Sequence, residues 1–141
     1  MKKILIVQSV FYPHISKMLL DSATKKISES DYEYEIVNVP GALEIPAAIS
    51  FAEKSEKYDG YVALGCVIRG ETSHHDIVAN ESARGLNKLA IKKKLAIGNG
   101  ILTVENEAQA IVRADPKQKD KGSFAAMACI EMMKLKEKFA C

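Results

Sequence analysis

Apolar residues along this chain alternate between two rhythms. Short apolar runs at Lys3–Ser9, Tyr34–Val39, Tyr61–Ile68 and Leu95–Val104 read as strands, with Tyr61-Val62-Ala63-Leu64 buried on both faces. Between them the spacing turns helical. Ile15, Met18, Leu19, Ala23 and Ile27 share one stripe behind Pro13, a residue suited to a helix start. A second helix is expected from about Leu43 to Ser55, with Pro46 tolerated in its first turn and Ile49 and Ala52 facing inward. Ile77, Ala83, Leu86 and Ala90 predict the buried stripe of a third, starting near Asp76 and running to about Lys93. A short helix at Ala108–Arg113 and a polar loop at Ala114–Asp120 lead to a last helix, Gly122–Phe139, expected to bury Phe124, Ala128 and Leu135. This alternation predicts an α/β fold whose four-stranded parallel sheet is covered on both faces by right-handed crossovers. Gly98 and Gly100 would weaken the fourth strand unless another backbone or a ligand comes close.

Composition narrows the class. A chain of 141 residues, 48% hydrophobic and 27% charged, is long enough for one core and too short for two, so residues 1–141 are expected to form a single domain. The net charge is only +2, with Lys and Glu interspersed, which gives no extended nucleic-acid footprint. Lys92-Lys93-Lys94 reads as a solvated helix end whose cations complement the helix dipole. No apolar run approaches membrane-spanning length, and Met1–Val7 is too soon broken by Gln8 and Ser9 for a signal peptide, so a cytoplasmic location is expected. Cys66, Cys129 and Cys141 are an odd number without paired close spacing, which argues against a zinc site or a disulfide framework. Cys66 is read as a small core residue rather than a catalytic thiol.

The chemistry concentrates in Gly65–Asp76. There an apolar strand gives way to a turn carrying Arg69, Thr72, His74 and His75, followed by a helix. Open α/β sheets bind ligands beyond the carboxyl ends of their strands, and a helix N-terminus beside an Arg and a Thr offers donors to an anion. A phosphate beside an acid/base histidine is therefore expected. A phosphorelay receiver is excluded because Gln8-Ser9 and Gly65-Cys66 stand where its acidic residues would be. A dinucleotide fold is excluded because Val10-Phe11-Tyr12-Pro13 replaces the glycine-rich turn after the first strand.

Five segments, taken together, carry a specific resemblance. Phe11 follows the first strand, Val39-Pro40-Gly41-Ala42-Leu43-Glu44-Ile45-Pro46 the second and Gly65–Asp76 the third. Gly100-Ile101-Leu102-Thr103 lies on the fourth, with Arg113 through Lys121-Gly122 beyond it. In order and spacing these resemble the lumazine synthase family over nearly the whole chain. The resemblance implies a flavodoxin-like three-layer sandwich. It also implies condensation of 5-amino-6-ribitylaminouracil with 3,4-dihydroxy-2-butanone 4-phosphate to 6,7-dimethyl-8-ribityllumazine, phosphate and water. That is the penultimate step towards riboflavin, made without metal or organic cofactor.

By the same resemblance His74 is the acid/base residue, and Phe11 is the ring that stacks on the pyrimidine. Ala42, Leu43, Glu44, Val67, Ile68 and Asn99 are substrate-binding positions. Glu71, Thr72, Arg113 and Lys121 surround the phosphate. His75 stands where the family carries an aromatic. The resemblance further implies a homopentamer with sites between subunits, where Phe11, Glu44, Thr72 and His74 of one chain face Asn99 and Arg113 of the next. Three positions depart from the pattern: Phe124 replaces a carboxylate that pairs with the histidine, Asn99 replaces a bordering phenylalanine, and Tyr12 replaces an asparagine. Phe124 and Asn99 motivate an alternative, a non-catalytic lumazine- or flavin-binding protein on the same scaffold. The two phosphate cations argue against it, since a ligand without phosphate would not need them.

Overall fold

The computed structural model describes all residues, 1–141. Four strands, β1 (Lys3–Ser9), β2 (Glu33–Val39), β3 (Gly60–Ile68) and β4 (Ile97–Val104), form one parallel sheet in the order β2-β1-β3-β4. Helices α1 (Pro13–Glu29), α2 (Ile45–Glu53), α3 (His74–Lys92), α4 (Glu107–Ala114) and α5 (Lys121–Lys138) connect and follow the strands, and a single 3₁₀ turn at Ala42–Glu44 leads into α2. The layers and strand order are those of a flavodoxin-like sandwich.

Alternation along β1 assigns the two cores. Ile4 and Ile6 point to one face, with Leu19 and Ile27 of α1, Ala110 and Ala114 of α4, and Ala126, Cys129 and Met133 of α5. Leu5 and Val7 point to the other, with Ile45 and Ile49 of α2 and Val78 and Leu86 of α3. Each fully buried Ile, Leu or Val contributes about 1.5–3 kcal/mol relative to exposure. At the edge of the sheet, β2 leaves Tyr34, Ile36 and Val37 exposed.

Two helices present faces other than those expected. In α3 Leu86 is buried as expected, but the other buried positions are His75, Val78 and Ser82, and Ile77 is 53% exposed. The helix starts at His74, close to the expected Asp76, and it turns His75 into the protein. In α5 the buried positions are Gly122, Ala125, Ala126, Cys129, Ile130 and Met133, whereas Phe124, Ala128 and Leu135 face outward. The cause is a close approach. A Cβ on Gly98 would lie 1.8 Å from the Ala125 carbonyl oxygen, and one on Gly122 would lie 2.3 Å from that of Leu19. Small residues, Gly122, Ala125, Ala126 and Cys129, fill the inner face of α5 where it approaches these backbones. The glycine at 98 in β4 thus makes room for a helix backbone, not a ligand.

Candidate active site

After β1 the chain crosses to β2 on one side, and after β3 it crosses to β4 on the other, so the connections diverge beyond the carboxyl ends of β1 and β3. Such a divergence opens a crevice. Here it holds a cavity of about 300 Å³, walled by Ser9, Phe11 and Tyr12 after β1 and by Pro40–Glu44 after β2. Cys66, Val67 and Ile68 of β3 and His74 and Val78 of α3 close the other side. Ser16 Oγ donates to the Ser9 carbonyl at 3.2 Å and pins the first turn. Phe11 stands 71% exposed at the mouth, edge-on to Tyr12 with centroids 5.1 Å apart. Burial pushes the Cys66 thiol up to about 11, so it is a protonated wall residue, not a nucleophile.

The β3–α3 turn is built differently from the expectation. Thr72 Oγ1 accepts the His74 backbone N–H at 3.3 Å, which uses one of the helix-start donors. Glu71 and Thr72 are exposed and line neither this cavity nor the one described below. Arg69 is not a free anion receptor: its Nε donates to Glu105 Oε2 at 2.6 Å and its Nη2 to Asp76 Oδ1 at 3.0 Å. The hydrogen bond from Arg69, reinforced by that of His75, holds the Asp76 carboxyl below its ordinary range. The same two carboxylates raise the Arg69 guanidinium, Asp76 first. His75 is buried, with Nδ1 3.4 Å from Asp76 Oδ1 and Nε2 without a partner.

Arg113, Lys121 and Asn99 gather elsewhere. They line a second cavity of about 250 Å³ along the free edge of β4, together with Gly100–Thr103, and it shares no residue with the first. Asn106 caps α4 by accepting the Gln109 N–H at 2.9 Å, and Gln109 Oε1 accepts the Glu105 N–H at 2.8 Å. This fixes the helix that carries Arg113, whose Nη1 donates to the Gln109 carbonyl at 3.1 Å. The other guanidinium donors have no partner within the chain. Asn99 Oδ1 accepts the Ile101 N–H at 2.9 Å. Lys121 Nζ lies 5.6 Å from the centroid of Phe124, so that ring sits against a cation.

The candidate residues therefore divide into two groups. Phe11, Ala42, Leu43, Glu44, Val67, Ile68 and His74 meet in the crevice, and Asn99, Arg113 and Lys121 meet at the β4 edge. Sequence reasoning missed Ser9, which ends a strand at the switch point, and the Glu105 and Asp76 partners of Arg69. No group of three or more His, Cys, Asp or Glu side chains gathers as a metal site would.

Fold and clefts define a flavodoxin-like α/β protein that offers an aromatic- and histidine-lined crevice and a separate cationic cleft. The chain belongs to the 6,7-dimethyl-8-ribityllumazine synthase family, whose model matches residues 1–137. It is 58% identical to the 6,7-dimethyl-8-ribityllumazine synthase of Novosphingobium aromaticivorans over 140 residues, covering 99% of this chain and all of that one. The proteins of the same name from Bartonella henselae and Zymomonas mobilis are 59% and 57% identical, over 96% and 99% of this chain and 89% and 100% of their own.

Proposed function

We infer that the chain catalyses the lumazine synthase reaction, joining 5-amino-6-ribitylaminouracil to 3,4-dihydroxy-2-butanone 4-phosphate with release of phosphate and water. The observation that carries this reading is the pair of complementary clefts, one with an aromatic ring and a histidine, the other with two cations. Relatives that align over nearly the whole chain bear the enzyme's name.

Each residue then has a chemical task. Phe11 stacks on the pyrimidine, and the Ala42–Glu44 turn holds it and the ribityl chain. Val67 and Ile68 form the apolar wall. His74, exposed at the α3 start, moves protons as the amine attacks the ketone, as phosphate is eliminated and as the second carbonyl condenses. Arg113, with its forked donors, and Lys121 bind the phosphate and stabilise it as it leaves. The Glu71 and Thr72 backbone N–H groups, which donate to no other backbone group, and the Thr72 hydroxyl meet that phosphate from the turn, and Asn99 borders the substrate from the β4 edge.

One chain holds the two clefts apart, and this separation supports the reading of a site assembled from two chains. We assign a homopentamer in which the crevice of one subunit faces the β4 edge of the next. No helix is long and apolar enough to cross a membrane. The three unpaired thiols suit a reducing compartment, and the cytoplasm is the location this reading assigns. The non-catalytic alternative leaves Arg113 and Lys121 without a task, since lumazine and riboflavin carry no phosphate.

The test mixes purified protein with both substrates and follows lumazine absorbance against a protein-free blank. Formation well above the blank supports the synthase. No excess, with lumazine or riboflavin still bound, would favour the binding protein.

A further inference from the structure

We propose that Arg69 is a positioning residue of this site, tying the turn that bears Thr72 and His74 to the end of β4 without touching substrate. The proposal rests on the reading above. Little else holds that turn. Residues 69–74 are all exposed, and a Cβ added to Gly70 would meet nothing within 4 Å. Gly70, Glu71 and Thr72 donate no hydrogen bond to another backbone group. At the root of the turn, the Arg69 backbone N–H donates to the Val104 carbonyl at 3.0 Å and extends the β3–β4 pairing by one residue.

The guanidinium then makes two further ties. Its Nη2 reaches Asp76 in the first turn of α3, seven residues on, and closes the loop over Gly70–His75. Its Nε reaches Glu105, immediately after β4. A planar fork can serve two carboxylates in fixed directions, which an ammonium cannot. Asp76 Oδ1 is braced again by His75 Nδ1 from the buried side of α3. Exposed ion pairs add little to global stability, so the effect of this clamp is on geometry. It limits the freedom of a turn whose Thr72 and His74 must meet substrate, and a displacement of about 1 Å there can cost about 10²-fold in rate. With two carboxylates on one guanidinium, no positive charge remains to attract a phosphate.

The test compares Arg69→Gln with the double variant Asp76→Asn/Glu105→Gln, which keeps the arginine and frees it. A clamp predicts that both lose about 10- to 100-fold in kcat/KM, that Arg69→Lys recovers only part, and that the triple variant is no worse than Arg69→Gln. A direct phosphate contact predicts the opposite for the double variant: KM for the butanone phosphate equal to or below that of the parent. That result would overturn the proposal, as would an Arg69→Gln enzyme indistinguishable from the parent. Glu105→Gln alone, at an exposed position, breaks one tie if the others fold poorly. Amide hydrogen exchange gives a readout apart from activity. The clamp predicts exchange at the hydrogen-bonded amides of His74 and Asp76, which donate to Thr72 Oγ1 and the Ser73 carbonyl, at least about tenfold faster in Arg69→Gln, and unchanged exchange refutes it. An inactive parent would count against the functional reading, while the exchange result would still decide the clamp.

Discussion

His74 and Arg113 of one chain open into different cavities, His74 into the crevice beyond β1 and β3 and Arg113 onto the free edge of β4. The proposed roles would put proton transfer and phosphate binding on separate surfaces of the chain, which allows their losses to be told apart. His74→Ala should lower kcat by about 10²–10⁴-fold, the usual contribution of acid–base help, yet retain turnover from substrate juxtaposition. Arg113→Ala should chiefly raise KM for the butanone phosphate. Steady-state kinetics with each substrate varied check this division, and an unchanged phosphate KM in Arg113→Ala would count against it.

Gly98 and Gly70 should respond oppositely to the same substitution. A Cβ at Gly98 meets the backbone of Ala125 at 1.8 Å, and neither β4 nor α5 can move without opening the core. Gly98→Ala should cost about 3 kcal/mol or more by overpacking. Gly70→Ala, which meets open space, should stay within about 0.5 kcal/mol of the parent. Urea denaturation of the two variants decides. A Gly98→Ala protein as stable as the parent would mean that α5 does not pack as described.

How far the sequence revealed these features depends on how local their causes are. Strand β3, the Gly65–Asp76 turn and the Pro13 helix start were legible because each is fixed by a short apolar run or a single stiff residue. The inner face of α5 was not, because Phe124, Ala128 and Leu135 and the set Ala125, Cys129 and Met133 both lie at helical spacing. Which set turns inward is decided by how closely the helix approaches Gly98 and Leu19. Arg69 looked like an anion receptor because its partner Glu105 lies 36 residues away. The positions of Asn99, Arg113 and Lys121 were marked by resemblance alone, and no periodicity in the chain would have singled them out.

His75 carries a buried ring nitrogen with no partner. An unmet buried polar group costs about 1–3 kcal/mol, and His75→Phe would replace it with carbon at similar volume. Thermal unfolding of this variant should shift upward. A downward shift would show that the lost contact of Nδ1 with Asp76, or a bond to Nε2, outweighs that cost.

Asp76 should titrate below its ordinary value of 3.8, because Arg69 and then His75 favour its charged form. A lowered folded pKa adds stability that is present above the unfolded value and lost as pH falls through the folded one. The Arg69–Asp76 tie should thus persist through mildly acidic pH and fail only below about 3.8. Carboxyl-carbon NMR should place the Asp76 midpoint below that value and raise it toward that value in Arg69→Gln, where the His75 contact remains. A normal midpoint in the parent would contradict the geometry.

The most direct test of a site completed between subunits is to co-assemble His74→Ala and Arg113→Ala chains and assay lumazine formation. In an equal mixture of a closed ring, about a quarter of the interfaces join an intact crevice to an intact cationic edge. Activity should then rise well above the mean of the two variants assembled separately. Activity equal to that mean, with mixed rings verified by mass, would place both halves of the site within one chain and contradict the account.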